Sequence, residues 1–177
     1  MKGKTEVVLH TKILHKLANQ IEKVDFEVLA YPRVIKLREK LKALPVGGGE
    51  AKTIQKELDK IKISTQHFIV LTVENVLKVA EDNNWALCKN NDFIYLFNGT
   101  FWDELDKESY QKFLGEASEK MGVTKFTAKY YQFREALYKQ FLSTAYLPTP
   151  EADKDTVLIN LQNGTFEIND KGTKLRP

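Results

Sequence analysis

Between Thr5 and Val24 the apolar positions Leu9, Ile13, Leu17, Ile21 and Val24 recur at intervals of four and three, the stripe of an amphipathic helix. Tyr31-Pro32 reads as a restart, because proline is tolerated in a first helical turn and biases the residue before it away from helix. Val34, Leu37, Leu41 and Leu44 form the next stripe, and Pro45 ends it. Val46-Gly47-Gly48-Gly49-Glu50 is a flexible break, after which Ile54, Leu58 and Ile61 mark a shorter helix over residues 50–62. Gln66–Leu71 fits either a strand or the approach to a helix. Thr72 is placed to cap a helix over Val73–Glu81 with Val76, Leu77 and Ala80 inward.

From Trp85 onward the period changes to two. Phe93, Tyr95 and Phe97 share one face of a strand and Ile94 and Leu96 the other, before Asn98-Gly99 and a return through Thr100-Phe101-Trp102. Asn-Gly supplies the two positive φ angles of a type I′ turn, so a two-residue hairpin is expected, with Phe97 facing Thr100, Leu96 facing Phe101 and Tyr95 facing Trp102. Asp106 caps the following helix, in which Tyr110, Phe113, Leu114, Ala117 and Met121 share a side, and Gly122 is its left-handed stop. Thr124 then caps a helix running to about Leu142. Its expected buried stripe is Phe126, Tyr130, Phe133, Leu137 and Phe141, with Tyr131 and Tyr138 toward the margin. Beyond Pro148 and Pro150 the strand Val157–Gln162 leads into Asn163-Gly164 and returns through Thr165–Ile168, a second hairpin with the same Asn-Gly-Thr-Phe wording.

These elements predict an α+β fold, predominantly helical, with two β-hairpins packed on a helical pair and an N-terminal helical arm. The expected divisions are 1–46 for the arm, 47–71 for the glycine linker and connecting helix, and 72–177 for the helix and hairpin domain. Composition changes this picture little: 42% apolar and 29% charged residues are ordinary for a globular chain of 177 residues. The longest apolar run, Phe68–Leu71, is far short of the roughly 20 residues that cross a bilayer, and no secretory signal precedes it, so no membrane and a cytoplasmic location are expected. Cys88 is the single cysteine and forms no internal disulfide, in keeping with a reducing compartment.

Charge is uneven. Residues 1–62 carry 14 Lys/Arg against 8 Asp/Glu, and residues 63–177 carry 13 against 16. A basic N-terminal third would attract phosphate backbones, although lysine-rich solvated helix faces are common. Residues 46–53 resemble a phosphate loop only superficially, since Val46 and Ala51 occupy its two fixed glycine positions. His10, His15 and His67 have no zinc-binding spacing, and the acidic pairs fit caps and turns, so no catalytic residue, metal or cofactor is expected in this chain. A hydrolase built on Cys88 or a histidine has no local support. The remaining candidate chemistry lies in the second aromatic helix, where Lys125, Lys129, Arg134 and Lys139 are interleaved with Tyr130, Tyr131 and Tyr138. Either the rings are core and the cations line its wet edge, or exposed rings beside cations form a platform for unpaired bases. The candidate nucleic-acid contacts are Lys125, Lys129, Tyr131, Arg134, Tyr138 and Lys139, with Asn98, Gly99, Asn163 and Gly164 as structural turns.

The order hairpin, helix, helix, proline loop, hairpin is carried by Phe93–Trp102, Phe133-Arg134-Glu135, Gln140-Phe141-Leu142 and Val157–Phe166. As a set these motifs resemble the linker domain that precedes the superfamily 3 helicase core of phage and plasmid, poxvirus-type, DNA primase–helicases. The likeness covers about residues 72–177 and leaves 1–62 unassigned. It implies a primase upstream and a ring-forming ATPase motor downstream, following where this chain stops at Leu175-Arg176-Pro177. With neither a phosphate loop nor a primase acid cluster, the chain is expected to be a non-catalytic accessory domain. Its expected partners are single-stranded or forked DNA and the helicase motor of the same parent protein, with room for homo-oligomerisation. The alternative is a stand-alone protein-interaction or self-association module with a basic helical arm.

Overall fold

A computed structural model describes residues 10–45, 47–90, 93–97, 102–145, 156–161 and 164–176. The fold is α+β: among the described residues there are eight helices and two three-stranded antiparallel sheets. The chain forms two compact units, Met1–Leu147 and Pro148–Pro177.

In the first unit, α1 (His10–Gln20) packs on α5 (Thr65–Asp82) and α6 (Lys107–Met121), and α8 (Tyr131–Thr144) packs on α5 and α6. The stripe read from the sequence explains α1, since Ile13 and Leu17 are fully buried and Ile21 nearly so. This helix is therefore part of the core and not a free arm. Lys120 of α6 donates to the Ala18 carbonyl at 2.6 Å, placing a cation at the C-terminal end of α1 where the helix dipole favours it. Asp25 caps the short α2 (Phe26–Ala30) by accepting from the Glu27 and Val28 amides. Arg38 of α3 (Arg33–Ala43) then pairs with Asp25 and, at 2.6 Å, with Glu27. α3 and α4 (Gly49–Asp59) pack on each other, burying Val34, Ala51 and Ile54 apart from the main core.

The expected start of the fifth helix at Thr72 is corrected to Ser64. His67, in its first turn, substitutes for the usual Glu or Gln of a capping box: its Nδ1 accepts the Ser64 backbone N–H at 3.2 Å. α5 therefore runs unbroken through 71/72, the position expected to open a new domain. Thr72 is an interior residue, fully buried. The Asp106 and Gly122 signals act as expected. Asp106 accepts the Ser109 amide at 2.8 Å, and Gly122 adopts φ +115° while the Val123 amide donates back to the Ser118 carbonyl at 3.0 Å.

Strands β1 (Ala86–Asn90), β2 (Phe93–Phe97) and β3 (Trp102–Leu105) form a meander in which Ile94 and Leu96 are the core face, as the alternation requires. The expected register is corrected: Phe97 faces Trp102, and four residues, 98–101, separate them. That register places buried Leu105 opposite buried Ile94, where a two-residue turn would have put Asp103 there. Asn98 and Gly99 lie outside the described residues.

The second unit is another meander, β4 (Thr156–Leu161), β5 (Gly164–Asn169) and β6 (Gly172–Arg176). Leu161 pairs with Gly164, so the two residues between the strands are 162 and 163 and not the expected Asn163-Gly164. The two registers differ by an even step, which leaves every side chain on its own face and makes the alternation blind to the difference. Gly164 opens β5, and Asn163 lies outside the described residues. Val157, Ile159, Phe166, Ile168 and Leu175 share one face, while Glu167 and Lys174 fall on the other.

Candidate nucleic-acid interface

The helix expected to run from Thr124 to Leu142 is two helices. α7 (Lys125–Lys129) ends at Tyr130, whose φ of −68° and ψ of 128° are extended, and α8 begins at the next residue. Tyr130 serves both helices at once: its N–H donates to the Thr127 carbonyl at 3.1 Å, and its carbonyl accepts the Arg134 amide at 3.1 Å. The break changes the helical phase, so the buried stripe predicted upstream of it does not survive. Phe133, Leu137 and Phe141 are buried as expected, but Phe126 is 90% exposed and Tyr130 50%.

Arg134 holds this break in place. Its side-chain Nε donates to the Ala128 carbonyl at 3.1 Å, satisfying one of the last carbonyls of α7 and setting a positive charge at that helix end. The guanidinium reaches it by passing over Gly115 of α6, where a Cβ would sit 2.7 Å from Arg134 Nε and 2.8 Å from the Ala128 carbonyl oxygen. Close approach of three helices thus depends on a missing side chain.

The six candidate contact residues therefore separate. Lys125 and Lys129 are exposed and, among the described residues, form no ion pair; Tyr131 is 66% exposed. Arg134 is half-buried and committed to α7. Tyr138 is buried, with the Lys107 ammonium 5.4 Å from its ring centroid, so it offers no face to a ligand. Lys139 pairs with Glu135 at 2.9 Å, and that pairing holds the Glu135 carboxyl below its ordinary range. Tyr138, expected toward the margin of the stripe with Tyr131, is the one of the two tyrosines that is buried. It shares the unbroken α8 with Phe133, Leu137 and Phe141, and the buried face of that helix is wider than the expected stripe and takes it in.

Phe126 and Tyr130 join the cluster in place of these residues. The Tyr130 and Tyr131 rings meet edge to face at 5.2 Å, and Gln132 links them, accepting from the Tyr130 hydroxyl at 2.8 Å and donating to the Tyr131 hydroxyl at 3.1 Å. Phe126, Thr127, Tyr130 and Gln132 line a groove of about 480 Å³ together with Thr65 and Ile69, in the first turns of α5. None of its lining residues is acidic. No proline or glycine marks the break. The available signal was weak: the adjacent tyrosines, Tyr130 and Tyr131, have only middling helix propensity.

One other group stands apart from this cluster. Cys88 is buried in β1 and burial pushes its thiol up, opposite to the shift that activates a nucleophile. Among the described residues no three His, Cys, Asp or Glu side chains come together as a metal site, and no helix is long and apolar enough to cross a membrane. No family model matches the chain, and no curated protein and no solved structure is significantly similar to it.

Proposed function

We propose that the chain is a non-catalytic accessory domain of a phage or mobile-element replicative DNA primase–helicase, contributing a DNA contact beside the ATPase motor. The observation that carries the DNA contact is the cluster of exposed Phe126, Tyr130 and Tyr131 at the α7–α8 break, flanked by Lys125 and Lys129. Aromatic faces offer stacking surface and the two ammonium groups offer phosphate partners. The α3–α4 region adds long-range attraction, since residues 33–62 hold nine Lys/Arg against four Asp/Glu. The place beside a motor rests on the motif resemblance of residues 72–177.

Fluorescence anisotropy of labelled single-stranded and forked DNA, titrated against salt, tests the contact. Binding at about 50 mM salt is expected, and replacing both Lys125 and Lys129 with Ala should reduce the slope of log K against log salt by about 1.4 for a single strand. No binding at that salt refutes the DNA contact. A second reading, self-association, is favoured by the apolar face of β4–β6, where Val157, Ile159 and Leu175 are 57%, 43% and 44% exposed. Light scattering across a concentration series tests it: a dimer that Ile159→Lys converts to monomer is the expected result, and a monomer throughout rejects it.

A further inference from the structure

Building on the nucleic-acid reading above, we infer that the groove between the first turns of α5 and the α7–α8 break is a seat for an unpaired base of a single strand, with Phe126 and Tyr130 as its stacking surfaces. The groove, at about 480 Å³, falls in the range of about 300–1,000 Å³ typical of small-ligand sites. Its walls suit a base more than a phosphate or a paired duplex. Phe126 and Tyr130 present aromatic surface, Ile69 and Phe133 add apolar surface, and Thr65, Thr127 and Gln132 supply polar groups at the rim. A duplex keeps its base faces stacked inside and shows only edges, so these rings have no surface to stack on until a base is unpaired.

Charge supports the same occupant. α7 has no acidic residue, and neither α5 nor α8 has one in its first turn, so no carboxylate from these segments opposes an incoming phosphate. Glu135, the nearest acid on α8, is neutralised by Lys139. Lys125 immediately precedes Phe126 and Lys129 immediately precedes Tyr130, so each ring has a cation beside it in the chain for the backbone that carries the base. Gln132 bonds both tyrosine hydroxyls and fixes Tyr130 before a ligand arrives, which lowers the ordering cost of stacking. Stacking is sequence-tolerant because every base has a π-face, so the seat takes any base.

The test compares three probes on the full chain: an oligothymidylate of about fifteen nucleotides, an abasic oligomer of equal length and charge, and a duplex. The oligothymidylate is expected to bind tightest. Phe126→Ala, at a side chain 90% exposed and so without effect on folding, should weaken it roughly 5- to 150-fold toward the abasic value while leaving abasic binding unchanged. Equal binding of the two single strands, or no effect of Phe126→Ala, overturns the base seat while the broader DNA reading stands. Failure of all three probes to bind at about 50 mM salt overturns both.

Discussion

Replacing Gly115 with alanine tests how the break between α7 and α8 is held. Glycine to alanine inside a helix ordinarily stabilises by about 1 kcal/mol, because alanine restricts the unfolded chain and exposes less backbone. At position 115 the added Cβ meets Arg134 Nε at 2.7 Å and the Ala128 carbonyl oxygen at 2.8 Å. The first is part of a side chain that can swing away, at the cost of its 3.1 Å bond to Ala128. The second is backbone, so α7 itself must move. Overpacking of this kind costs about 1–3 kcal/mol. Set against the propensity gain, the net expectation is a loss of about 1 kcal/mol, read as a fall of about 2–4 °C in Tm for a chain of this size. Circular dichroism at 222 nm, the standard helical band, follows the melt. A Tm raised by the same amount would mean that α7 yields freely and that Gly115 does not set its position. The same variant should weaken single-strand binding, because the displaced helix carries Phe126.

Three further outcomes follow from other parts of the first unit. His67→Ala should lower stability by about 1 kcal/mol in urea denaturation, while His67→Glu should retain most of it, because glutamate can also accept the Ser64 amide; equal losses would contradict the capping role. The hydrogen bond from Arg38 holds the Asp25 carboxyl below its ordinary 3.8, so its stabilisation is full above that pH and disappears as pH falls through the depressed value. Arg38→Ala should thus lower stability slightly at neutral pH, and the difference from the parent should close in denaturation series carried down below pH 3.8. Thr72 carries a buried hydroxyl with no hydrogen-bond partner among the described residues, so Thr72→Val should raise stability by about 1 kcal/mol; a loss of that size would mean that the hydroxyl is satisfied.

The sequence was most informative where a local rule acts alone. Asp106 and Gly122 delimit α6 because capping and left-handed geometry depend on one residue each, and the buried side of α6 follows from its period. Alternation identified the strand faces, but an even register slip preserves faces, so neither hairpin register could be read from it. Ser64 was overlooked because histidine is an unusual acceptor at the third helical position. The aromatic site was legible in part. Lys125, Lys129 and Tyr131 were recognised, whereas Phe126 and Tyr130 were assigned to the core because Phe126, Tyr130, Phe133, Leu137 and Phe141 keep perfect helical spacing. What breaks that helix is tertiary: Arg134 reaches across Gly115, and neither Arg134 nor a glycine in a different helix announces that contact in sequence.

Photochemical crosslinking locates the proposed contact directly. A single-stranded oligonucleotide carrying 5-iodouracil, irradiated on the full chain and followed by trypsin digestion and mass spectrometry, reports which rings lie against a base. Adducts are expected on the peptide Phe126–Lys129 or Tyr130–Arg134, lost or redistributed in Phe126→Ala. Adducts confined to other peptides, with these two unmodified, would contradict the proposed contact.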